Sequence, residues 1–525
     1  MSHTDSTDKE KDIESGHSGA GPVQEDVYEV RSAEVAPENT IARRFGALGP
    51  ILTKLFNSGV EARGVERVPE DQRETKNAWN NLLMWWSVNM VLTTIPIGVL
   101  AQSVFTLTLP HAIATIMCFG ALGGIATAFI SCLGPQTGLR TMVITRFSSG
   151  YFGGTIYSIL NILTQLGFSV TAVILGGETL ASINPGTLPL VVGIIIIGLC
   201  CLVPCFIGYN MVHVYERYAW MVTFIIMLFL WGLGGKAGFD LDAQKPLEDT
   251  GKALSADILS FGGIVFGSFS GWAPVAADYN CRLPSTTSPW RVFILTFFGL
   301  WLPICFVEIL GAALMTITDP AYVAAFGDTE NTGALVAQVL SPWGGFGKFV
   351  LVLLAMSVIA NNIPNTYSAG LSMQALGRPF AMVPRFFWTF LAFLIYTVAG
   401  VAGRQHFSAI LSNFLSILSY WTAFFIVIVA EEHFIFRRRG GPLGGYNLDD
   451  YDTPSKLPLG IAGIVAGCFG VAGAVVGMAE VWYIGPLGAK AGAAYGADLG
   501  FELAAAFAAV TYFPLRTLEI RLVGR

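Results

Sequence analysis

The sequence Ala360-Asn361-Asn362-Ile363-Pro364-Asn365 interrupts an apolar run that begins near Phe349. It places three carboxamides and a proline where roughly twenty apolar residues should cross a bilayer. Polar side chains at that depth are costly, and they normally face the interior of a helix bundle or a water-filled cavity. The rest of the chain can therefore be interpreted around one polar position in the middle of a membrane.

On a helix, Ser357, Asn361 and Asn365 follow one another at intervals of four residues and share one face. Pro364 lacks a backbone donor, so it frees a carbonyl group one turn earlier in the helix. A cavity that offers amide donors, amide acceptors and free carbonyls suits a planar, uncharged solute that forms hydrogen bonds. The alternative is that these buried asparagines only tie helices together.

The composition is that of a polytopic membrane protein. Of 525 residues, 53% are hydrophobic and 13% are charged, and the mean hydropathy is +0.60, whereas a soluble domain carries about 25% charged residues. The net charge of -6 and the lack of a basic block with interleaved aromatics argue against nucleic acid as a partner. The cysteines lie mostly in apolar runs without metal-ligand spacing, so no metal site is expected.

Twelve apolar segments are long enough to be membrane spans, and they are numbered as spans 1 to 12. In order they cover residues 79–104, 109–134, 151–181, 188–209, 212–234, 255–277, 291–317, 344–372, 382–401, 407–430, 459–479 and 495–514.

The basic residues are distributed as expected for twelve spans with the N-terminus inside the cell. We interpret residues 1–40 as a disordered cytosolic tail, 41–78 as a basic cytosolic approach to span 1, and 515–525 as a cytosolic C-terminal tail. With this topology, only six of the 30 lysines and arginines lie on the extracellular side of the membrane: Lys236, Lys245, Lys252, Lys348, Arg404 and Lys490. The sequence thus predicts a multi-pass membrane protein with both termini in the cytoplasm.

Spans 1 and 6 contain residues that disturb a helix. Span 1 combines polar and helix-breaking residues, among them Ser87, Asn89, Thr94 and Pro96, and residues 262–274 of span 6 are rich in glycine. Glycine costs about 1 kcal/mol relative to alanine in a helix, so these residues indicate an unwound segment whose carbonyls line a cavity. The alternative is that the glycines only allow close helix packing.

Interrupted helices five spans apart are what a five-plus-five inverted repeat predicts. The first repeat would then cover residues 79–234, the second 255–430, and residues 459–514 would form two peripheral spans.

Four motifs together resemble the nucleobase:cation symporter-1 family, and within it the fungal purine-cytosine permease type. The resemblance covers about residues 60–520. Its motifs are residues 134–146, Gly208-Tyr209 with His213, Tyr215, Glu216 and Arg217, Gly271-Trp272-Ala273-Pro274 with Ala277-Asp278-Tyr279, and Asn361-Asn362-Ile363-Pro364-Asn365.

The resemblance implies an all-α, LeuT-like fold of ten core helices plus two peripheral ones, with a substrate held at mid-membrane. It implies that Trp272 stacks on a nucleobase and that Asn365 binds the ring edge. The position that usually carries a polar amide in span 3 falls on Ala172, which departs from the family pattern. The full set of expected substrate residues is Trp272, Asn365, Asn361, Pro364, Asn89, Ser87, Thr94, Phe168, Gln165 and Ser270.

The residue chemistry is consistent with this implication. A planar ring stacked on Trp272 gains about 0.5–1.5 kcal/mol beyond area burial, although a packed core tryptophan is the alternative. The Asn365 amide offers one acceptor oxygen and two donor hydrogens to a nucleobase edge. Coupling to protons needs a titratable group, and the candidates for coupling or gating are Glu308, Glu216, Asp257 and Asp278.

The resemblance therefore implies a proton-coupled symporter that imports purines, cytosine or both across the plasma membrane by alternating access. We expect no cofactor and no metal. A vitamin B6 compound is an alternative substrate, and the sequence leaves open whether sodium replaces the proton and what the oligomeric state is. An integral membrane enzyme would need converging nucleophile, base or metal ligands, and a channel would need repeated pore motifs or an acidic ring. Neither pattern is present in the sequence.

Overall fold

A computed structural model describes residues 64–73, 79–207, 209–492 and 495–525, without the side chains of 205–207 and 209–219. The tail predicted at 1–40 and most of the approach segment 41–78 lie outside these residues. Most of the described chain is helical, and β1 (Ala479–Glu480) pairs antiparallel with β2 (Tyr483–Ile484).

The helices of the described chain are numbered in order. They are α1 (Trp79–Asn89), α2 (Ile95–Ser103), α3 (Leu109–Thr137), α4 (Thr141–Ile144), α5 (Arg146–Ala181), α6 (Leu190–Ile207), α7 (Tyr209–Ala237), α8 (Lys252–Ser270), α9 (Ala273–Ala276), α10 (Pro289–Leu314), α11 (Pro320–Phe326), α12 (Thr332–Leu340), α13 (Gly344–Ala375), α14 (Arg378–Ala381), α15 (Arg385–Gly403), α16 (Phe407–Glu431), α17 (Ile461–Gly477), α18 (Gly488–Ala491) and α19 (Gly500–Val523). Short 3-10 turns cover Glu70–Gln72, Leu92–Thr94 and Ser341–Trp343, and a π-helical turn covers Glu432–Phe436.

Every predicted span coincides with a helix. In the described ranges nine helices are long and apolar enough to cross a membrane, and the bent pair α1–α2 makes ten. Two shorter apolar helices, α6 and α17, occupy predicted spans 4 and 11. The helix of span 12, α19, continues to Val523, and Arg516 in its later part is fully buried and paired with Glu432 at 2.9 Å.

The spans pack as two groups of four. Spans 1, 2, 6 and 7 contact one another, and spans 3, 4, 8 and 9 form the second group. Span 10 contacts both groups, and span 12 packs against spans 10 and 11. The two groups meet where spans 1 and 8 touch, and the candidate site lies there.

Span 1 is broken, as predicted. Helix α1 ends at Asn89, and α2 begins after a 3-10 turn at an angle of 66° to α1. Val91 is extended, with φ -142° and ψ 163°, and Pro96 lies in the first turn of α2, where its missing N–H costs nothing. The break leaves backbone groups without helical partners in the middle of the protein.

Span 6 differs from the prediction. The glycine-rich stretch up to Ser270 is helical rather than unwound, and the interruption is limited to Gly271 and Trp272, before α9. A Cβ atom on Gly267 would lie 2.3 Å from the Leu415 carbonyl oxygen, and one on Gly262 would lie 2.6 Å from the Phe119 ring. Close packing therefore explains these glycines, which was the alternative interpretation.

Candidate substrate site

A small cavity lies between the break in span 1 and the interruption in span 6. Its volume is about 30 Å³, which is room for roughly two water molecules. It lies between the two four-span groups and next to span 10. The lining residues are Asn89, Thr93, Thr94, Ile97, Phe168, Thr171, Ser268, Trp272, Ile304, Asn361 and Leu411.

Two aromatic rings face each other across this cavity. The rings of Phe168 in span 3 and Trp272 in span 6 have centroids 6.0 Å apart and planes inclined by 10°. The edge of the buried Trp85 ring packs on Trp272, with centroids 5.7 Å apart at 76°. Gly271 brings the span 6 backbone against Phe168, because a Cβ there would lie 2.8 Å from that ring. Packing on several sides therefore fixes the orientation of both rings.

The polar face of span 8 binds the broken backbone of span 1. The Asn361 amide donates to the Val88 carbonyl oxygen at 2.9 Å, and the Leu92 N–H donates to Ser357 Oγ at 3.1 Å. Helix ends inside a membrane need such partners because water does not supply them. The face shared by Ser357 and Asn361 in the sequence is thus the face that contacts span 1.

Asn365 lies one turn beyond Asn361 and outside the cavity lining. Its amide nitrogen donates to Asn361 Oδ1 at 3.3 Å, while its own Oδ1 atom is buried without a hydrogen-bond partner in the described chain. The neighbouring Asn362 amide is also buried with no partner among the described residues. A buried amide without partners costs about 1–3 kcal/mol, so these two side chains hold binding capacity that the fold does not use.

Five of the predicted substrate residues line the cavity: Trp272, Asn361, Asn89, Thr94 and Phe168. The other five do not. Ser270 bonds Thr422 Oγ1 at 2.7 Å, Gln165 donates to Asn161 at 2.9 Å, and Ser87 and Pro364 are buried in α1 and α13, respectively.

Sequence reasoning missed some lining residues and understated others. Ile304 and Leu411 contribute apolar lining, and no sequence signal distinguishes them from other buried side chains of their spans. Thr171 lines the cavity, whereas Ala172 is fully buried and is not among the lining residues. The hydroxyl of Thr171 donates to the Phe168 carbonyl at 3.0 Å.

Glu308 in span 7 lies directly behind the cavity. Its carboxyl group is fully buried, and Oε1 accepts a hydrogen bond of 2.9 Å from Ser268, whose side chain lines the cavity. The second oxygen, Oε2, has no partner in the described chain. An ionised carboxylate in such a place costs several kcal/mol unless it is paired.

The other candidates for coupling or gating lie elsewhere. Asp278 accepts the Thr141 N–H at 2.7 Å, which connects the end of span 6 to the short helix α4. Burial raises the pKa of Asp278, although Arg140 and Thr141 act in the opposite direction. Asp257 is half-buried in the second turn of α8, away from the cavity. Glu216 belongs to the residues whose side chains are not described.

Comparison with known protein families decides the classification. A family model described as "Permease for cytosine/purines, uracil, thiamine, allantoin" matches residues 67–488. The chain belongs to this family. The predictions of a membrane transporter and of this family resemblance are thereby confirmed.

Curated relatives match nearly the whole chain. The purine-cytosine permease fcyB of Emericella nidulans is 38% identical over 507 residues, covering 96% of this chain and 97% of the relative. The vitamin B6 transporter TPN1 of Saccharomyces cerevisiae is 31% identical, with 90% of each chain covered.

A solved structure shows the same fold at low sequence identity. Mhp1, a nucleobase-cation-symport-1 family transporter in a closed conformation with bromovinylhydantoin bound, aligns with a TM-score of 0.67 and 14% identity. The alignment covers 88% of this chain and 96% of Mhp1. The predicted LeuT-like fold class is therefore confirmed.

Proposed function

We propose that this permease is a proton-coupled symporter that imports purines, cytosine or both across the plasma membrane by alternating access. The observation that carries the proposal is the pair of nearly parallel rings, Phe168 and Trp272, beside the amide face of span 8. Flat apolar faces next to amide groups match the two chemical features of a nucleobase, its ring faces and its hydrogen-bonding edge.

A planar ligand can enter between the two rings only after they move apart. Carbon atoms in contact lie about 3.5–4.0 Å apart, so a flat ring between two others needs about 7 Å between the outer ring planes. The rings of Phe168 and Trp272 stack with centroids 6.0 Å apart. In this proposal spans 3 and 6 therefore separate when the ligand binds, and the same movement enlarges the small cavity.

The amides give the site its expected specificity. Asn361 faces the cavity, and Asn365 reaches it through Asn361. Because Asn365 Oδ1 has no partner in the described chain, a donor on the ligand edge would relieve its burial cost. A site of this kind rejects analogues that leave its polar groups unpaired.

We assign the coupling proton to Glu308. Its Oε2 atom has no partner in the described chain, and its Oε1 atom bonds Ser268 at the cavity wall. A proton on this carboxyl group removes the cost of a buried charge. Ser268 connects this carboxyl group to the cavity wall, so ligand occupancy and protonation can influence each other.

In this proposal both termini are cytoplasmic, and the inverted repeats cover residues 79–234 and 255–430. In this proposal the group of spans 1, 2, 6 and 7 moves against spans 3, 4, 8 and 9, around the breaks in spans 1 and 6. Asp278 and its bond to Thr141 lie at the cytoplasmic end of span 6 and serve as a gate contact.

A vitamin B6 compound is the second candidate substrate. Two observations favour testing it: the 31% identity to a vitamin B6 transporter and the alanine at position 172. The ring of such a compound fits between the same aromatic faces, so the aromatic pair does not separate the two classes.

The test is uptake of radiolabelled cytosine in cells that lack their own carriers, with adenine, hypoxanthine and pyridoxine as competitors. We expect saturable uptake that nucleobases inhibit and that a protonophore abolishes. N365A should lose uptake while reaching the cell surface. Inhibition by pyridoxine alone would reassign the substrate, and normal kinetics in N365A would remove Asn365 from the site.

A further inference from the structure

A second and much larger cavity is an apolar groove on the outer surface of the described chain, separate from the substrate cavity. It lies between spans 2, 7 and 10 and has a volume of about 660 Å³. Cavities of about 300–1,000 Å³ are typical of sites that bury small-molecule ligands. Nothing in the transport mechanism uses this groove.

The groove opens toward the bilayer. Ile125, Trp290 and Phe434 line it and expose 48%, 72% and 57% of their surface, respectively. On α3 the lining residues extend from Leu122 to Gln136, which is about 21 Å along a helix. The hydrocarbon core of a bilayer is about 30 Å thick, so the groove covers the depth of one leaflet and its interface.

One end of the groove is polar, and two exposed arginines follow its lining residues closely in the chain. Gln136 and His433 line that end, while the other described lining residues are apolar apart from Cys132. Arg438 and Arg439 are exposed and follow Phe434 by four and five residues in the chain. The neighbouring Arg437 forms an ion pair with Glu432 at 2.7 Å. This ion pair fixes the position of the segment that contains the other two arginines.

We propose that this groove binds an anionic glycerophospholipid. One acyl chain lies along spans 2 and 10 between Phe129 and Ile426, and the phosphate group lies near Arg438 and Arg439. The apolar length, the opening to the bilayer and the polar end with its two arginines match the three parts of such a lipid. In the proposed topology this end faces the cytoplasmic leaflet, whose anionic lipids attract basic segments.

The lipid would also affect transport. Its acyl chain contacts spans 2 and 7, which belong to one four-span group, and span 10, which contacts both groups. An occupied groove therefore stabilises one relative position of these helices, and loss of the lipid changes the rate of the conformational cycle.

The first experiment measures lipid retained by the purified full-length protein after a detergent wash, by mass spectrometry. We expect phosphatidylserine or phosphatidylinositol to be enriched severalfold over the host membrane. A430T adds a small side chain, leaves room for the lipid and should retain the wild-type amount. A430W fills the groove next to Phe434 and should reduce lipid retention severalfold. V398W places the same side chain on the bilayer face of span 9, where Val398 is 68% exposed, and should retain the wild-type amount.

A second variant tests the head group without changing the groove. R438Q/R439Q should lose the preference for anionic lipid and keep the acyl chain contact. In proteoliposomes, adding phosphatidylserine to phosphatidylcholine should accelerate wild-type uptake severalfold and leave R438Q/R439Q unchanged. The retention measurement does not depend on the transported substrate, so it remains decisive if the proposed function is wrong.

Three results would overturn the proposal. Equal retention in wild type, A430W and R438Q/R439Q would show that the groove holds no specific lipid. A sterol or zwitterionic lipid displaced by A430W would identify a different occupant. A dimer in wild type that A430W dissociates would show that a second copy of the chain covers the groove.

Discussion

Asn361 connects the substrate cavity to the broken backbone of span 1. Its amide nitrogen bonds the Val88 carbonyl at 2.9 Å, and its Oδ1 atom accepts from Asn365. The sequence indicated this face of span 8, because the spacing of Ser357, Asn361 and Asn365 is helical. It did not indicate that two of the three side chains form hydrogen bonds with the backbone of span 1, because these bonds depend on how two distant segments pack.

N361A should reduce the ratio kcat/KM for cytosine uptake by about 10-fold to 100-fold. The change removes one amide and leaves the Val88 carbonyl and the Asn365 amide without their partner, at about 1–3 kcal/mol. Uptake kinetics at matched surface expression measure the effect. N413A changes the same type of side chain on span 10. Its amide donates to the Ala409 carbonyl and accepts from Trp482 Nε1 outside the cavity, so kcat/KM should stay at the wild-type value.

E308Q should allow substrate exchange across the membrane but abolish accumulation driven by the proton gradient. Glutamine keeps the bond with Ser268 and cannot gain or lose the proton, so exchange of cytosine across the membrane should continue while accumulation stops. Counterflow and net uptake with an acid-outside gradient measure the two properties. Accumulation in E308Q at the wild-type level would show that another group carries the proton.

At the scale of elements, the helix breaks explain the placement of the site, and glycines set the distances between helices. Proline and polar residues in span 1 predicted its break correctly, because an extended Val91 and a proline in the first turn of α2 are local features. The glycines of span 6 misled the prediction. Their role depends on Phe119 and Leu415, which approach from other helices, and no local signal reveals these contacts.

G98A should destabilise the protein by about 1–3 kcal/mol or prevent its folding, since overpacking has that cost. A Cβ atom on Gly98 would lie 1.7 Å from the Glu308 carbonyl oxygen, so span 1 and span 7 would have to separate. Thermal unfolding of the purified protein measures the change. Gly232 is the matched control because a Cβ atom there meets nothing within 4 Å. G232A should be neutral or stabilising, and equal losses in the two variants would contradict the packing argument.

At the scale of the whole molecule, the spans, the fold class and the family could be predicted from hydropathy and motifs. Those features depend on composition over many residues. The parallel arrangement of Phe168 and Trp272 could not be predicted, because it arises from the packing of spans 3 and 6 against Leu418 and Trp85. The buried pair of Arg516 and Glu432 was missed for the same reason.

A buried acidic group links the connection after span 11 to span 10 and makes stability depend on pH. The Tyr420 hydroxyl contacts Glu480 Oε1 at 2.9 Å and also contacts Asp498. Burial, assisted by Asp498, raises the pKa of Glu480 from 4.5 to about 7.

Because this pKa is raised in the folded state, the protonated form stabilises the fold. The stabilisation is complete below pH 4.5 and decreases as the pH rises through about 7. Thermal midpoints of the purified protein should fall across this window, and E480Q should show a smaller decrease. Parallel curves for wild type and E480Q would contradict the assignment.

Proteoliposomes that contain only this protein provide the most direct measurement of the proposed transport. Labelled cytosine is added outside under an imposed proton gradient, acidic outside, with and without a protonophore. We expect cytosine to accumulate inside above its external concentration, and the protonophore or the N365A substitution to abolish the accumulation. Two results would contradict proton-coupled nucleobase import. One is cytosine that only equilibrates across the membrane, and the other is cytosine that does not enter proteoliposomes whose protein is verified as correctly folded.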